Sequence, residues 1–110
     1  MTSKTLTALC HINDLAEDSS KQFDFPDTNI FAVKKDGQLY VYKNICPHLG
    51  VELNWQEDQF LDMDGSLIQC ATHGALFLID NGECVAGPCL GESLSPIEFE
   101  IIDNVIHAKL

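Results

Sequence analysis

Apolar and polar residues follow each other along this chain with the two-residue period of half-buried β-strands. Thr5-Leu6-Thr7-Ala8-Leu9-Cys10 alternates, and Asn29–Val33 and Gln38–Tyr42 are two β-rich runs joined by Lys34-Lys35-Asp36-Gly37. An Asp-Gly pair between two such runs is a strong hairpin signal. A second hairpin is predicted from Phe60–Met63, Asp64-Gly65 and Ser66–Gln69, and a third from Leu76–Ile79, Asp80-Asn81-Gly82 and Glu83–Val85. Near the C-terminus Ile97, Phe99 and Ile101 alternate with Glu98 and Glu100, and Asp103-Asn104 turns the chain into Val105–Leu110. Helical spacing is confined to Asn13–Gln22, where a helical turn capped by Asn13 or Asp14 is expected. The reading is an all-β domain of nine or ten short strands.

Length and composition narrow the class. The 110 residues, 45% of them apolar, predict one small domain with a single modest core, spanning residues 1–110. They leave no room for a separate catalytic domain. No apolar stretch reaches the ~18 residues of a membrane helix, and the N-terminus lacks the apolar run of a secretory signal. A cytoplasmic protein is expected. There, thiols stay reduced, so five cysteines argue for metal binding rather than a disulfide framework. Seventeen acidic residues against six basic ones give a formal charge of −11. That sign disfavours nucleic acid and anionic membrane surfaces and suits a basic partner; an acidic surface also serves solubility alone.

The chemistry lies where strands end. Cys46-Pro47-His48-Leu49-Gly50 follows the Gln38–Tyr42 strand, and Cys70-Ala71-Thr72-His73-Gly74 follows Ser66–Gln69. The pattern is Cys-x-His, a spacer of 21 residues, then Cys-x-x-His. Short spacing lets each pair turn to one centre, Pro47 stiffens the first loop, and Gly50 and Gly74 permit positive φ. Two thiolates with two imidazoles suit tetrahedral zinc or an iron–sulfur centre. A zinc finger pairs Cys with Cys and His with His on a helix, whereas each pair here is mixed and no helix follows.

This resembles the Rieske [2Fe–2S] family, in which each of two loops gives one Cys and one His. His73-Gly74-Ala75-Leu76-Phe77, the turn at Asn81-Gly82 and Gly87-Pro88 match the family's segment after the second pair. The resemblance implies one [2Fe–2S] cluster, with Cys46 and Cys70 on the inner iron and His48 and His73 on the outer one. It implies a stack of antiparallel sheets with a small cluster-binding subdomain, about residues 44–88, at one tip. Pro88 would belong to a loop covering the cluster. Two imidazoles in place of two thiolates leave the oxidised centre formally neutral, which raises its potential over an all-cysteine cluster. Outer histidines also bring an aromatic edge to the surface where a partner docks.

The chain departs from the respiratory members of that family. Their extra loop cysteines, which form a disulfide, fall at Val51 and Thr72 here. Their Ser and Tyr hydroxyls, donors to the cluster sulfurs, fall at Ala75 and Phe77. The resemblance is therefore to the ferredoxin branch, which carries electrons from a reductase to a terminal oxygenase, docking near His48 and His73. Two alternatives stay open: a small subunit of a larger oxygenase or nitrite-reductase-like complex, and a zinc-stabilised interaction module. Cys84 and Cys89, with four residues between them, are expected to pack as small apolar groups rather than form a second metal or redox site. Cys10, His11 and His107 are expected to be structural, and Trp55 and Phe60 to be core residues that could also line a docking face. Glu57, Asp58, Asp62 and Asp64 are either a steering patch or a solvated hairpin. No Gly-rich dinucleotide motif and no second His, His, carboxylate set for mononuclear iron occurs, so the chain is expected to be an electron carrier and not the oxygenase.

Overall fold

The computed structural model describes residues 6–25, 28–45, 53, 60–61, 66–70, 74–87 and 90–109. They form nine strands: β1 Leu6–His11, β2 Ser19–Asp24, β3 Asn29–Lys35, β4 Gln38–Lys43, β5 Leu67–Gln69, β6 Leu76–Leu78, β7 Cys84–Ala86, β8 Phe99–Ile102 and β9 Val105–Lys109. All pairings are antiparallel, in three three-stranded sheets ordered β1-β9-β8, β2-β3-β4 and β5-β6-β7. The all-β architecture is as expected.

β3 explains how the sheets stack. Its Ile30-Phe31-Ala32-Val33 run is buried throughout, the pattern of a strand covered on both faces. Successive side chains point to opposite faces. Phe31 and Val33 enter one core cluster with Tyr42, Leu53, Phe60, Ile68, Cys70 and Phe77, while Ile30 and Ala32 enter another with Val41, Ile97 and Ala108. The β2-β3-β4 sheet is thus the middle layer. One face packs on the β5-β6-β7 side of the molecule and the other on the β1-β9-β8 side. In the first core the Phe31 and Phe60 rings stack with centroids 4.2 Å apart.

The hairpin turns obey local chemistry. Asp36 (φ 52°) and Gly37 (φ 75°) join β3 to β4, and Asp103 (φ 51°) and Asn104 (φ 65°) join β8 to β9. Two successive positive φ angles suit the right-handed twist of the flanking strands, and Gly, Asn and Asp tolerate them best. The third hairpin turns at Asp80–Gly82, with Gly82 N–H donating to Leu78 O at 2.8 Å and Asn81 Oδ1 accepting from Glu83 N at 2.8 Å. Of the second, the described residues show a Leu61↔Ile68 bridge beside β5; Asp64-Gly65 lies outside them.

One expectation fails. Asn13–Gln22 is not a helical turn: a single 3₁₀ turn spans Ile12–Asp14, and Ser19 onward is β2, paired with β3 along its whole length. The cap is His11, whose Nδ1 accepts from Asn13 N at 3.1 Å while Asp14 Oδ2 accepts from His11 N at 3.2 Å. Asp14 thus serves as the third residue of a capping box, not as the cap. The polar Ser19-Ser20-Lys21-Gln22 stretch is held as a strand by the edge of β3.

Candidate metal centre

Cys70 directly follows β5, and the turn there is closed from both sides. Cys70 N–H donates to Ala75 O at 2.8 Å, and Gly74 N–H donates to Cys70 O at 2.8 Å. Gly74 has φ +69°, the conformation foreseen for it, and that angle permits the tight return into β6. His73 falls within the three residues this turn encloses, outside the described residues. Cys70 itself is fully buried, in the core with Ile68, Ala75 and Phe77.

Cys46 and His48 also lie outside the described residues, but both ends of their loop are on view. Asn44, just after β4, donates its main-chain N–H to Asn29 O at 2.8 Å. Its side-chain Oδ1 accepts from Leu53 N at 2.9 Å. Leu53 is fully buried in the cluster that contains Cys70 and Ala75. The two Cys/His-bearing loops therefore spring from one core. The rigid β4 and β5 ends do the positioning that loops alone cannot do.

A third segment touches this base. Gly87 has φ +93°, and a methyl group there would come within 2.7 Å of Ala75 Cα. The backbone just before Pro88 consequently lies against the residue that closes the Cys70 turn, a contact open only to glycine. Pro88 and Cys89 are outside the described residues. Cys84 is buried, with its Sγ 3.2 Å from Ala86 O, in keeping with a packing role. Ile45, next to Cys46 in the sequence, and Leu90, two residues after Pro88, are 45% and 65% exposed.

Two described residues at the base of the second loop lack a hydroxyl. Ala75 and Phe77 are both fully buried and carry none. Tyr42, buried in the same core, gives its hydroxyl to Ile79 O at 2.5 Å, and burial pushes its pKa up to about 12. His11, His107 and Cys10 have structural surroundings, while Trp55, Glu57, Asp58, Asp62 and Asp64 lie outside the described residues. His11 caps the 3₁₀ turn and His107 Nδ1 lies 3.0 Å from Val105 O. Cys10 is half-buried in β1, where burial first and the Asp14 charge second raise its thiol pKa. What the sequence did not single out was Asn44. Its signal was a lone amide directly after a strand whose Val41 and Tyr42 are both buried.

Comparison with known proteins identifies the family. A family model for the Rieske [2Fe-2S] domain matches residues 5–103. The chain belongs to the Rieske [2Fe–2S] domain family. It is 32% identical over 84 residues to the ferredoxin component of the alkene monooxygenase system of Xanthobacter autotrophicus, covering 74% of this chain and 66% of that one. It is 32% identical over 76 residues to the cytochrome b6-f complex iron–sulfur subunit of Chlorobaculum thiosulfatiphilum, covering 69% of this chain and 38% of that one. The matched region thus spans under two thirds of either relative's own length. In fold it is similar to a chain in the complex of reduced oxygenase and oxidised ferredoxin in carbazole 1,9a-dioxygenase, with TM-score 0.78 and 19% identity over 96% of this Rieske chain and 94% of that one.

The cofactor of a Rieske domain is one [2Fe–2S] cluster, and this chain suits it. The Cys and His residue types of its Cys-x-His and Cys-x-x-His motifs are those such a cluster takes. Leu53, Cys70 and Ala75, at the ends of the two Cys/His-bearing loops, also belong to one buried cluster. Among the described residues no helix is long and apolar enough to cross a membrane.

Proposed function

We propose that this Rieske protein is the ferredoxin component of an oxygenase system, a one-electron carrier between a reductase and a terminal oxygenase. Cys46 and Cys70 hold the inner iron; His48 and His73 hold the outer iron and face the partner. The chain works as a single domain, with residues of about 44–88 forming the cluster-binding part, in the cytoplasm. The observation that carries the ligand assignment is the common origin of both Cys/His loops in the core of Leu53, Cys70 and Ala75. The match to a monooxygenase ferredoxin component supports the carrier role. The bound cluster supplies reversible one-electron chemistry. The chain's part in this reading is to hold the thiolates from the buried side, where Cys70 lies, and to present two imidazoles outward.

The test is direct. Purified protein should be red-brown, hold two irons and two acid-labile sulfides per chain, and give a Rieske-type EPR signal after reduction with dithionite. Cys46→Ser and Cys70→Ser should abolish the cluster or leave it labile. His48→Cys and His73→Cys should lower the potential of any cluster that survives, because each adds negative charge. Cys84→Ser and Cys89→Ser should keep the colour. A colourless protein with one zinc after anaerobic preparation would overturn the reading. The similarity to a cytochrome b6-f subunit supports a second reading, a fixed relay in a larger redox complex. Co-purification decides: a carrier elutes alone, a subunit brings its partner.

A further inference from the structure

Asn44 is the only buried polar residue among the described residues, at 1% exposure. Burying an amide is costly unless its hydrogen bonds are made, so such a residue is there for what it joins. Asn44 joins two points of the chain. Its N–H is fixed on Asn29 O at the start of β3, and its Oδ1 takes the N–H of Leu53 at 2.9 Å. The stretch between them, residues 45–52, contains Cys46 and His48. Leu53 is in turn embedded with Cys70 and Ala75, at the base of the other donor loop.

We infer that Asn44 is the positioning residue of the first ligand loop, pinning both ends so that Cys46 and His48 meet Cys70 and His73 in one geometry. The inference rests on the ligand assignment above. Pinning the ends of a loop removes conformations in which its ligands point elsewhere, and groups behind the ligands commonly orient them. Without the amide oxygen the Leu53 N–H is left buried with the partner it has here removed. The loop must then reorganise to satisfy it, or bear the cost.

Three variants of the holoprotein test this. Asn44→Ala should release iron to a chelator about tenfold faster than wild type, with broadened EPR features from a spread of ligand geometries. Asn44→Asp keeps an acceptor oxygen but buries an acid, and should release iron more slowly and give narrower lines than Asn44→Ala. Ile106→Val, in the fully buried part of β9, should lower the thermal midpoint yet leave both readouts at wild-type values. Wild-type line shape and release rate in Asn44→Ala would overturn the inference, as would equal broadening in Ile106→Val. Should Asn44→Ala fail to fold, site-resolved hydrogen exchange on the wild type decides. The Leu53 amide should be protected like the β3 and β4 amides, and exchange at the rate of an exposed amide would overturn the proposal. Wild-type protein lacking the two-iron signal would instead strike the ligand assignment, a distinct failure that leaves the Leu53 amide test standing.

Discussion

Tyr42 shows at the scale of one residue how the cluster-side core is closed. Its ring packs at 5.9 Å from that of Phe31 and its hydroxyl donates to Ile79 O, tying β4 to the end of β6. Burial holds the phenol neutral and moves its pKa from 10.0 to about 12. A raised folded pKa stabilises fully below the unfolded value and loses that contribution as pH climbs through the folded one. The advantage of wild type over Tyr42→Phe in urea midpoint should therefore be constant to about pH 9 and shrink between pH 10 and about 12. An advantage unchanged at pH 12 would show that the hydroxyl stays accessible to water. Residues like this one were only half legible. The sequence marks Tyr42 as a strand residue, yet nothing in it says that Ile79, thirty-seven positions on, supplies the acceptor. Cys70 and His73 stood out more readily as candidates, because the Cys-x-x-His spacing is visible in the sequence itself. Asn44 did not, since an amide beside a strand end reads equally well as a turn.

Elements were legible where backbone conformation demanded a residue type. Asp36-Gly37 and Asp103-Asn104 were read as turns because positive φ is cheap for those residues, and both have it. β2 was missed because an edge strand with no fully buried residue carries no alternation to read. The approach of Gly87 to Ala75 was also hidden: a glycine before a proline signals a turn, not a contact with a second turn. That contact makes a prediction at this scale. Gly87→Ala puts a methyl 2.7 Å from Ala75 Cα, so either the segment leading to Pro88 or the Cys70–Ala75 turn must move. Gly37→Ala meets the same φ penalty at +75° but open space. Gly37→Ala should cost about 1 kcal/mol, and Gly87→Ala should cost more, roughly 2–4 kcal/mol, because overpacking adds to strain. At ~4–8 °C per kcal/mol the thermal midpoints separate the two clearly. Only Gly87→Ala should also hasten cluster bleaching. Equal losses in both would mean that the segment before Pro88 yields freely.

The whole molecule is a middle sheet with two cores, and that stacking was implicit in the continuous Ile30–Val33 run once its alternate residues are assigned to opposite faces. The same scale governs the redox potential. Rieske centres span about −150 to +300 mV, with hydrogen bonds to the sulfurs and solvent exposure among the controls. Ala75 and Phe77 offer no hydroxyl, and the buried Tyr42 hydroxyl is committed to Ile79. A formal charge of −11 further opposes an added electron. Both effects push the same way, and the midpoint is predicted at roughly −150 to −100 mV. The charge contribution is screened by salt while the missing hydrogen bonds are not, so raising ionic strength should lift the midpoint only slightly. Phe77→Tyr or Ala75→Ser should raise it by tens of millivolts where the new hydroxyl reaches a sulfur. About 59 mV for one electron corresponds to ~1.4 kcal/mol, the strength of one hydrogen bond. Protein-film or solution voltammetry checks all three. A wild-type midpoint above about +100 mV would mean that donors from residues 46–52 or 71–73 dominate the centre, and would place the chain with high-potential Rieske proteins instead of the ferredoxins.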